Sequence, residues 1–417
     1  MKVGQPKHVR HIAWLCTLVY FTSYLLRKNL GIMLVKVCSD MGFAESAFAV
    51  VLTGLTVCYG GGQLVSGMLG DKISPQRMIV CGLFAASLAN ISIAFTNSIL
   101  LMTVVWCING FAHSMLWSPI IKLFTEYLDE RAYSYGTMRL MLGSTFATVF
   151  LRLFCPAMLL LISWKWIMLI LALFGVGVTV AFAISSRHVF DRSLIQASAA
   201  RAGDVAEVKN EPVPLPRYAL PMTALIVLAI ILHGMLREGV DVWMPSFLCE
   251  TFGMGEENAI FSTVILSAFG MFSFTVFDYL YRRVCYSELP CAMFAFALAT
   301  VAAAVLFVLT RTGGAAVFSM IMMAIIIGCM SGVNLMLIAT VPKRYLKSGR
   351  VASFTGLLDA AAYLGAAIAT YGFAALFEGF GWSVTIFVWV LVAGAGILFC
   401  SLVIPIWSKF RKNYADV

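Results

Sequence analysis

Charged side chains are scarce in this chain of 417 residues: Asp, Glu, Lys and Arg make up 12%, whereas apolar residues make up 61%. A soluble globular domain usually carries about 25% charged residues, so the composition excludes an ordinary soluble protein. The apolar residues recur in continuous runs of about 20 residues, which is long enough to cross a bilayer. Because the runs do not alternate with polar residues, they predict membrane-spanning helices and exclude a transmembrane barrel.

Motifs for metal, nucleotide and covalent chemistry are also missing. The eleven cysteines are scattered without metal-like spacing, mostly inside apolar runs, so we interpret them as small hydrophobic residues. The glycine cluster 60–62 does not match a phosphate-binding loop and predicts close helix packing instead. No catalytic constellation is found. We therefore expect no cofactor, no metal, no enzymatic activity and no direct use of ATP.

Twelve apolar runs occur in two sets of six. They predict helices at 12–36, 47–69, 77–96, 99–124, 132–154, 158–185, 218–247, 257–279, 287–309, 315–340, 350–376 and 382–406. The segment between the sets is polar and ends in three prolines, which is typical of a linker. Two sets of six indicate repeats joined in parallel. We predict an all-α membrane protein with an N-terminal six-helix half at 1–185, a linker at 186–217 and a C-terminal six-helix half at 218–417.

Basic residues are shared unevenly between the predicted loops. One set of loops, both tails and the linker are rich in Lys and Arg, whereas the opposite set is acidic and includes Glu45, Glu250 and Glu378. The positive-inside rule places the basic side in the cytoplasm. We expect a multi-pass protein of a bacterial inner (plasma) membrane with both termini cytoplasmic. The net charge of +9 then reflects topology, and no nucleic-acid partner is expected.

Two arginines occupy matching positions in the first helix of each half, Arg27 and Arg237. A charge at the bilayer centre costs at least about 2.5–3.5 kcal/mol on insertion scales, so both call for an explanation. Repeat-related helices are expected to face each other across a central cavity, where two guanidinium forks would suit a phosphate or a carboxylate. The alternative is a structural ion pair, because Glu238 and Asp241 are close to Arg237 in sequence.

Other polar residues of the predicted helices are further candidates. For substrate binding these are Lys28, Lys122, Arg139 and His233, and for coupling or gating they are Asp71, Glu238, Asp241 and Asp359. Several alternatives stay open. Lys28 either snorkels, pairs with an acid or lines the cavity, and Lys122 either pairs with Glu126 or lines the cavity.

The remaining alternatives concern titratable and end-of-helix residues. His233 either takes part in proton transfer or is a hydrogen-bonded structural histidine. Asp359 either pairs with a basic residue or carries a proton. Asp71, at the end of the second helix, is either a conformational latch or an ordinary loop charge. Arg152 is expected at the membrane interface.

The residues around Arg27 resemble a known family. The run Tyr24-Leu25-Leu26-Arg27-Lys28-Asn29 is similar to the first-helix motif of the organophosphate:phosphate antiporters, which include the glycerol-3-phosphate and hexose-phosphate transporters. Similar residues recur at 59–60, 67–72, 109–110, 117–119, 122, 236–237, 243, 245 and 354–357. The resemblance implies a major facilitator fold, and it implies that Arg27 and Arg237 hold the phosphoryl group. Tyr59 joins the substrate-binding candidates on the same ground.

The sequence also departs from that family. Gln63, itself a substrate-binding candidate, stands where the family often has a lysine, and Arg139 stands in the helix where glycerol-3-phosphate members have a histidine. We expect a secondary active transporter that moves an organic phosphate or similar small organic anion by alternating access and anion exchange. The alternatives are a proton-coupled carboxylate or drug carrier and a non-transporting sugar-phosphate sensor. The expected partners are the anion, a counter-anion or proton and the lipid bilayer, with the protein a monomer.

Overall fold

A computed structural model describes residues 6–70, 73–128, 130–189, 214–348 and 351–415, and these ranges are largely helical. The helices are α1 (Pro6–Ile32), α2 (Leu34–Met41), α3 (Glu45–Gly70), α4 (Pro75–Ala94), α5 (Ile99–Tyr127), α6 (Glu130–Leu159), α7 (Trp164–Val189), α8 (Ala219–Phe252), α9 (Glu256–Ser262), α10 (Val264–Leu280), α11 (Glu288–Thr312), α12 (Ala316–Val333), α13 (Val351–Phe380) and α14 (Trp382–Phe410). Shorter π-helical segments cover Tyr281–Cys285, Asn334–Thr340 and Arg411–Ala415, and a 3₁₀ segment covers Val341–Ser348.

Helix occupies all twelve predicted spans, with ends that differ by a few residues, and three spans are interrupted. The first breaks at Met33 between α1 and α2, the eighth breaks at Thr263 between α9 and α10, and the tenth changes to a π-helical turn at Asn334. Within the described ranges, ten helices are long and apolar enough to cross a membrane. The predicted all-α, multi-pass architecture is therefore confirmed. Most of the predicted linker lies outside the described residues.

The described residues form two compact units. One contains 6–41 and 57–189, and the other contains 42–56 and 214–415. Helix α3 is thus divided: its first turns belong to the second unit and the remainder belongs to the first.

Close helix packing in the first unit depends on small residues. A Cβ added at Gly62 of α3 would lie 2.6 Å from the Ser114 Oγ of α5, and one added at Gly82 of α4 would lie 2.7 Å from the Ala112 backbone oxygen. Gly61, in contrast, has nothing within 4 Å of such a Cβ. Of these two members of the predicted glycine cluster, only Gly62 is a packing residue, because successive residues of a helix point about 100° apart.

Large apolar side chains are exposed along many of the helices. Phe146 is 67% exposed, Leu173 63% and Phe272 71%. Exposed apolar surface on this scale is unfavourable in water and suits contact with lipid tails. Both units therefore present the kind of surface that a bilayer covers.

Candidate functional site

Arg27 lies between two tyrosine rings. Its guanidinium carbon is 4.4 Å from the ring centroid of Tyr24, on the preceding turn of α1, and 4.7 Å from that of Tyr59, on α3. Tyr24 in turn packs edge-on against Tyr20, which also contacts Trp117 of α5. A cation over an aromatic face is stabilised by the ring quadrupole. A guanidinium carries its N–H donors in its own plane, in a fork that matches phosphate and carboxylate groups.

Three buried asparagines fix the turn of α1 that carries Arg27. The Asn29 amide donates to Asn90 Oδ1 at 2.7 Å. The amides of Asn90 on α4 and Asn109 on α5 donate to the Leu26 carbonyl oxygen at 2.9 and 3.1 Å. All three asparagines are fully buried. The network therefore ties α1 to α4 and α5 at the residue directly before Arg27.

Asn90 is absent from the sequence candidates. It is the one side-chain amide in the mainly apolar run 77–96, and that is the signal that identifies it, because a buried amide without a partner is costly. Asn29 points away from Arg27, as its position two residues further along the helix predicts.

The structure does not bring Arg139 to Arg27. The Arg139 guanidinium lies over the rings of Trp14 and Tyr135, at 4.5 and 4.8 Å. Trp14 precedes Arg27 on α1 by more than three turns, which is about 20 Å along the helix axis. Arg139 therefore lies at a different height along α1 from Arg27.

The other candidates of the first unit are only partly defined. Lys28, Gln63 and Lys122 are partly buried on α1, α3 and α5. The side chain of Glu126, which the sequence offers as a pair for Lys122, and the whole of Asp71 lie outside the described residues.

Arg152 is buried among protein side chains. It is only 3% exposed. Helix α6 packs along α1, so a residue near the end of α6 still faces protein when it lies on the packed side of the helix.

In the second unit, α8 and α13 cross with their backbones in contact. An added Cβ at Gly234 would collide with the Ala362 carbonyl oxygen, and one at Gly365 would collide with a carbonyl oxygen of α8. The crossing places Arg237, one turn after Gly234, within electrostatic range of Asp359 on α13. Two of the predicted residues are thereby brought together.

His233 is fully buried one turn before Arg237, whose charge acts on it. Neither of its ring nitrogens has a hydrogen-bond partner among the described residues. This differs from the hydrogen-bonded structural histidine that was one of the two expectations. Glu238 and Asp241 are partly buried on the same helix, and each interacts with other residues.

Apolar helices that carry arginines inside the predicted spans, among them Arg27 in one compact unit and Arg237 in the other, are typical of a multi-pass membrane transport protein. The model of the Major Facilitator Superfamily matches residues 16–370, so the chain belongs to that family. The fold is also that of a bacterial homologue of the human lysosomal transporter Spinster, solved in an inward-facing and occupied conformation. The TM-score is 0.77 at 12% identity, covering 98% of this chain and 99% of that one.

Three curated relatives carry more specific names. A probable hexose phosphate transport protein of Chlamydia muridarum is 26% identical over 111 residues, which is 27% of this chain and 24% of that protein. The glycerol-3-phosphate transporter of Bacillus subtilis is 22% identical over 259 residues, 58% of each chain. The membrane sensor protein UhpC of Salmonella typhimurium is 21% identical over 256 residues, 59% of this chain and 58% of that protein.

These matches span between a quarter and three fifths of the relatives' lengths. They confirm the predicted resemblance to organophosphate transport proteins of the superfamily.

Proposed function

We propose that this protein is a secondary active transporter of an organic phosphate or a similar small organic anion, and that it works by anion exchange in a bacterial inner membrane. The observation that carries the proposal is Arg27, stacked between Tyr24 and Tyr59 on a turn of α1 that buried amides hold in place. The position of the guanidinium is thus set before an anion arrives, and a preorganised donor gives up little conformational entropy on binding.

A phosphoryl or carboxylate group is the ligand that best fits this arrangement. An arginine inside an apolar helix is costly, and one that binds an anion gains bidentate, charge-assisted hydrogen bonds. The hexose phosphate and glycerol-3-phosphate relatives have phosphate esters in their names. We extend that substrate class to this chain.

Arg237 is proposed as the second anion-binding arginine, with Asp359 as its competitor. An ionised carboxylate near an arginine occupies part of its positive field, and protonation of the carboxylate makes that field available to an incoming anion. Asp359 lies within the electrostatic range of Arg237. This observation favours a second candidate function, proton-linked uptake, in which Asp359 carries the proton.

Reconstituted vesicles test the proposal and separate it from its alternatives. Uptake of labelled glycerol-3-phosphate and hexose phosphates should require inorganic phosphate inside the vesicles and should not respond to an inward proton gradient. Uptake into empty vesicles that is stimulated by the gradient, and blunted by Asp359→Asn, would instead establish proton coupling. Saturable binding of a sugar phosphate without flux would establish a sensor, as the name of the UhpC relative suggests.

A further inference from the structure

The N-terminal end of α3 is packed within the second compact unit. The Ser46 backbone N–H, in the first turn of α3, donates to Glu378 Oε1 of α13 at 2.6 Å. A carboxylate at a helix N-terminus interacts favourably with the unpaired N–H groups and the helix dipole. This contact fixes the end of α3 to α13.

Glu45, directly before Ser46, lies outside the predicted span 47–69. Its surroundings disfavour the ionised form of its carboxyl group. Its Oε2 is buried without a hydrogen-bond partner among the described residues, and the same holds for the Oγ of its fully buried neighbour Ser246 on α8. Burial raises the pKa of Glu45 to about 7; the Ser246 hydroxyl opposes this shift, and the charges of Glu250 and Glu378 add to it.

The charged groups that face Glu45 are all acids. Glu250 is on α8, where its Oε2 accepts a hydrogen bond from Trp382 Nε1 at 2.7 Å, and Glu378 is on α13. The thiol of Cys249 lies beside them, within range of Glu45 and also of Glu256 and Glu257 at the start of α9. Among the described residues no basic group acts on the Glu45 carboxyl. An ionised Glu45 therefore has burial and two like charges against it, whereas a protonated Glu45 has neither penalty.

We infer that the N-terminus of α3 is a proton-operated latch, in which protonated Glu45 keeps this end of the helix docked on α8 and α13 and loss of the proton releases it. The inference is independent of the anion-binding proposal, because it uses none of the same residues.

The direction of the pH dependence follows from the two states. A released Glu45 has an ordinary carboxyl pKa near 4.5, whereas docking raises that pKa to about 7. The docked state therefore holds an extra proton between these two values. Docking is favoured as the pH falls and is weakened as the pH rises through about 7.

Amide hydrogen exchange of residues 45–56 tests the latch in the full-length protein in lipid nanodiscs. Labelling times are scaled to the intrinsic exchange rate at each pH between 5.5 and 8.0. Protection of this segment in the wild type should fall by about tenfold or more as the pH rises, since each unit of pKa difference corresponds to about a tenfold change in the docking equilibrium. The isosteric, uncharged Glu45→Gln variant should keep the protection nearly constant over the same range.

Two further variants complete the experiment. Asp40→Asn removes a partly exposed acid that pairs with Lys36 on the preceding helix, at 3.2 Å, and should leave the wild-type pH profile unchanged. Glu250→Gln retains an acceptor for Trp382 but removes a like charge, so the midpoint should move to lower pH. The latch is overturned if wild-type protection is independent of pH or rises with pH, or if Glu45→Gln keeps the wild-type profile. Should Glu45→Gln fail to fold, an unshifted midpoint in Glu250→Gln overturns it.

Discussion

At the scale of single residues, the stacking of Arg27 explains how a permanent charge is stabilised within an apolar helix. The Arg27 guanidinium lies over the rings of Tyr24 and Tyr59, and such contacts contribute about 0.5–2 kcal/mol each, depending on how dry the site is. This site therefore suits the planar guanidinium of arginine better than the ammonium group of lysine.

Arg27→Lys is therefore expected to weaken anion affinity by about tenfold or more, since the ammonium keeps the charge but loses the fork and the stacking. Concentration-dependent uptake, or binding of a labelled sugar phosphate to purified protein, measures the change. Arg139→Lys is the matched control, because that guanidinium lies on Trp14 at a different level of α1. Equal losses in the two variants would contradict the assignment.

Asn90 is predicted to be a structural residue with a functional consequence. Asn90→Ala leaves the buried Asn29 amide and part of the Leu26 carbonyl without partners, at a cost of about 1–3 kcal/mol for each unsatisfied group. The thermal unfolding midpoint in detergent should fall, and anion affinity should fall with it because the turn before Arg27 is loosened. Asn258→Ala, an exposed amide, should change neither. An unchanged midpoint for Asn90→Ala would show that the network is dispensable.

At the scale of helices, the crossing of α8 and α13 is set by the absence of two side chains. Gly234 and Gly365 allow backbone to touch backbone, and the charged residues one turn away are brought together as a result. Backbone cannot move aside in the way a flexible side chain can, so the tolerance for a methyl group at this crossing is low.

Gly234→Ala should consequently destabilise the protein by about 1–3 kcal/mol or more and reduce uptake, because the new Cβ meets the Ala362 carbonyl. Gly372→Ala on α13 is the matched control, since a Cβ there meets nothing within 4 Å. Thermal unfolding and initial uptake rates of both variants decide the matter. A Gly234→Ala protein with the stability of Gly372→Ala would show that the helices adjust freely.

The positions of the helices were predictable from the sequence, whereas the packing of one helix against another was not. Runs of about 20 apolar residues predict a spanning helix, because backbone N–H and C=O groups without hydrogen bonds cost several kcal/mol each in lipid. The helix breaks at Met33 and Thr263 could not be predicted, because no proline lies at either position. The environments of Asn90, Arg139 and Arg152 depend on which side of each helix faces another helix, and a uniformly apolar helix has no polar face to reveal this.

At the scale of the whole molecule, orientation in the membrane is the property that the loop charges predict. Basic residues near helix ends resist transfer across the membrane. A membrane-impermeant maleimide should label Asn258→Cys on intact cells, and should label Arg283→Cys only after permeabilisation, in a cysteine-free background that retains uptake. Labelling of Arg283→Cys alone on intact cells would reverse the topology.

Helix α3 also gives the molecule a mechanical property. It is a continuous helix of 26 residues, about 39 Å long at 1.5 Å per residue. Glu45 stands at one end, and Tyr59, about 21 Å further along, forms one wall of the Arg27 stack. A helix transmits a push along its axis far better than a loop does. The residue of the proposed latch and one of the two tyrosines beside Arg27 are carried by a single uninterrupted helix rather than by two elements joined by a loop.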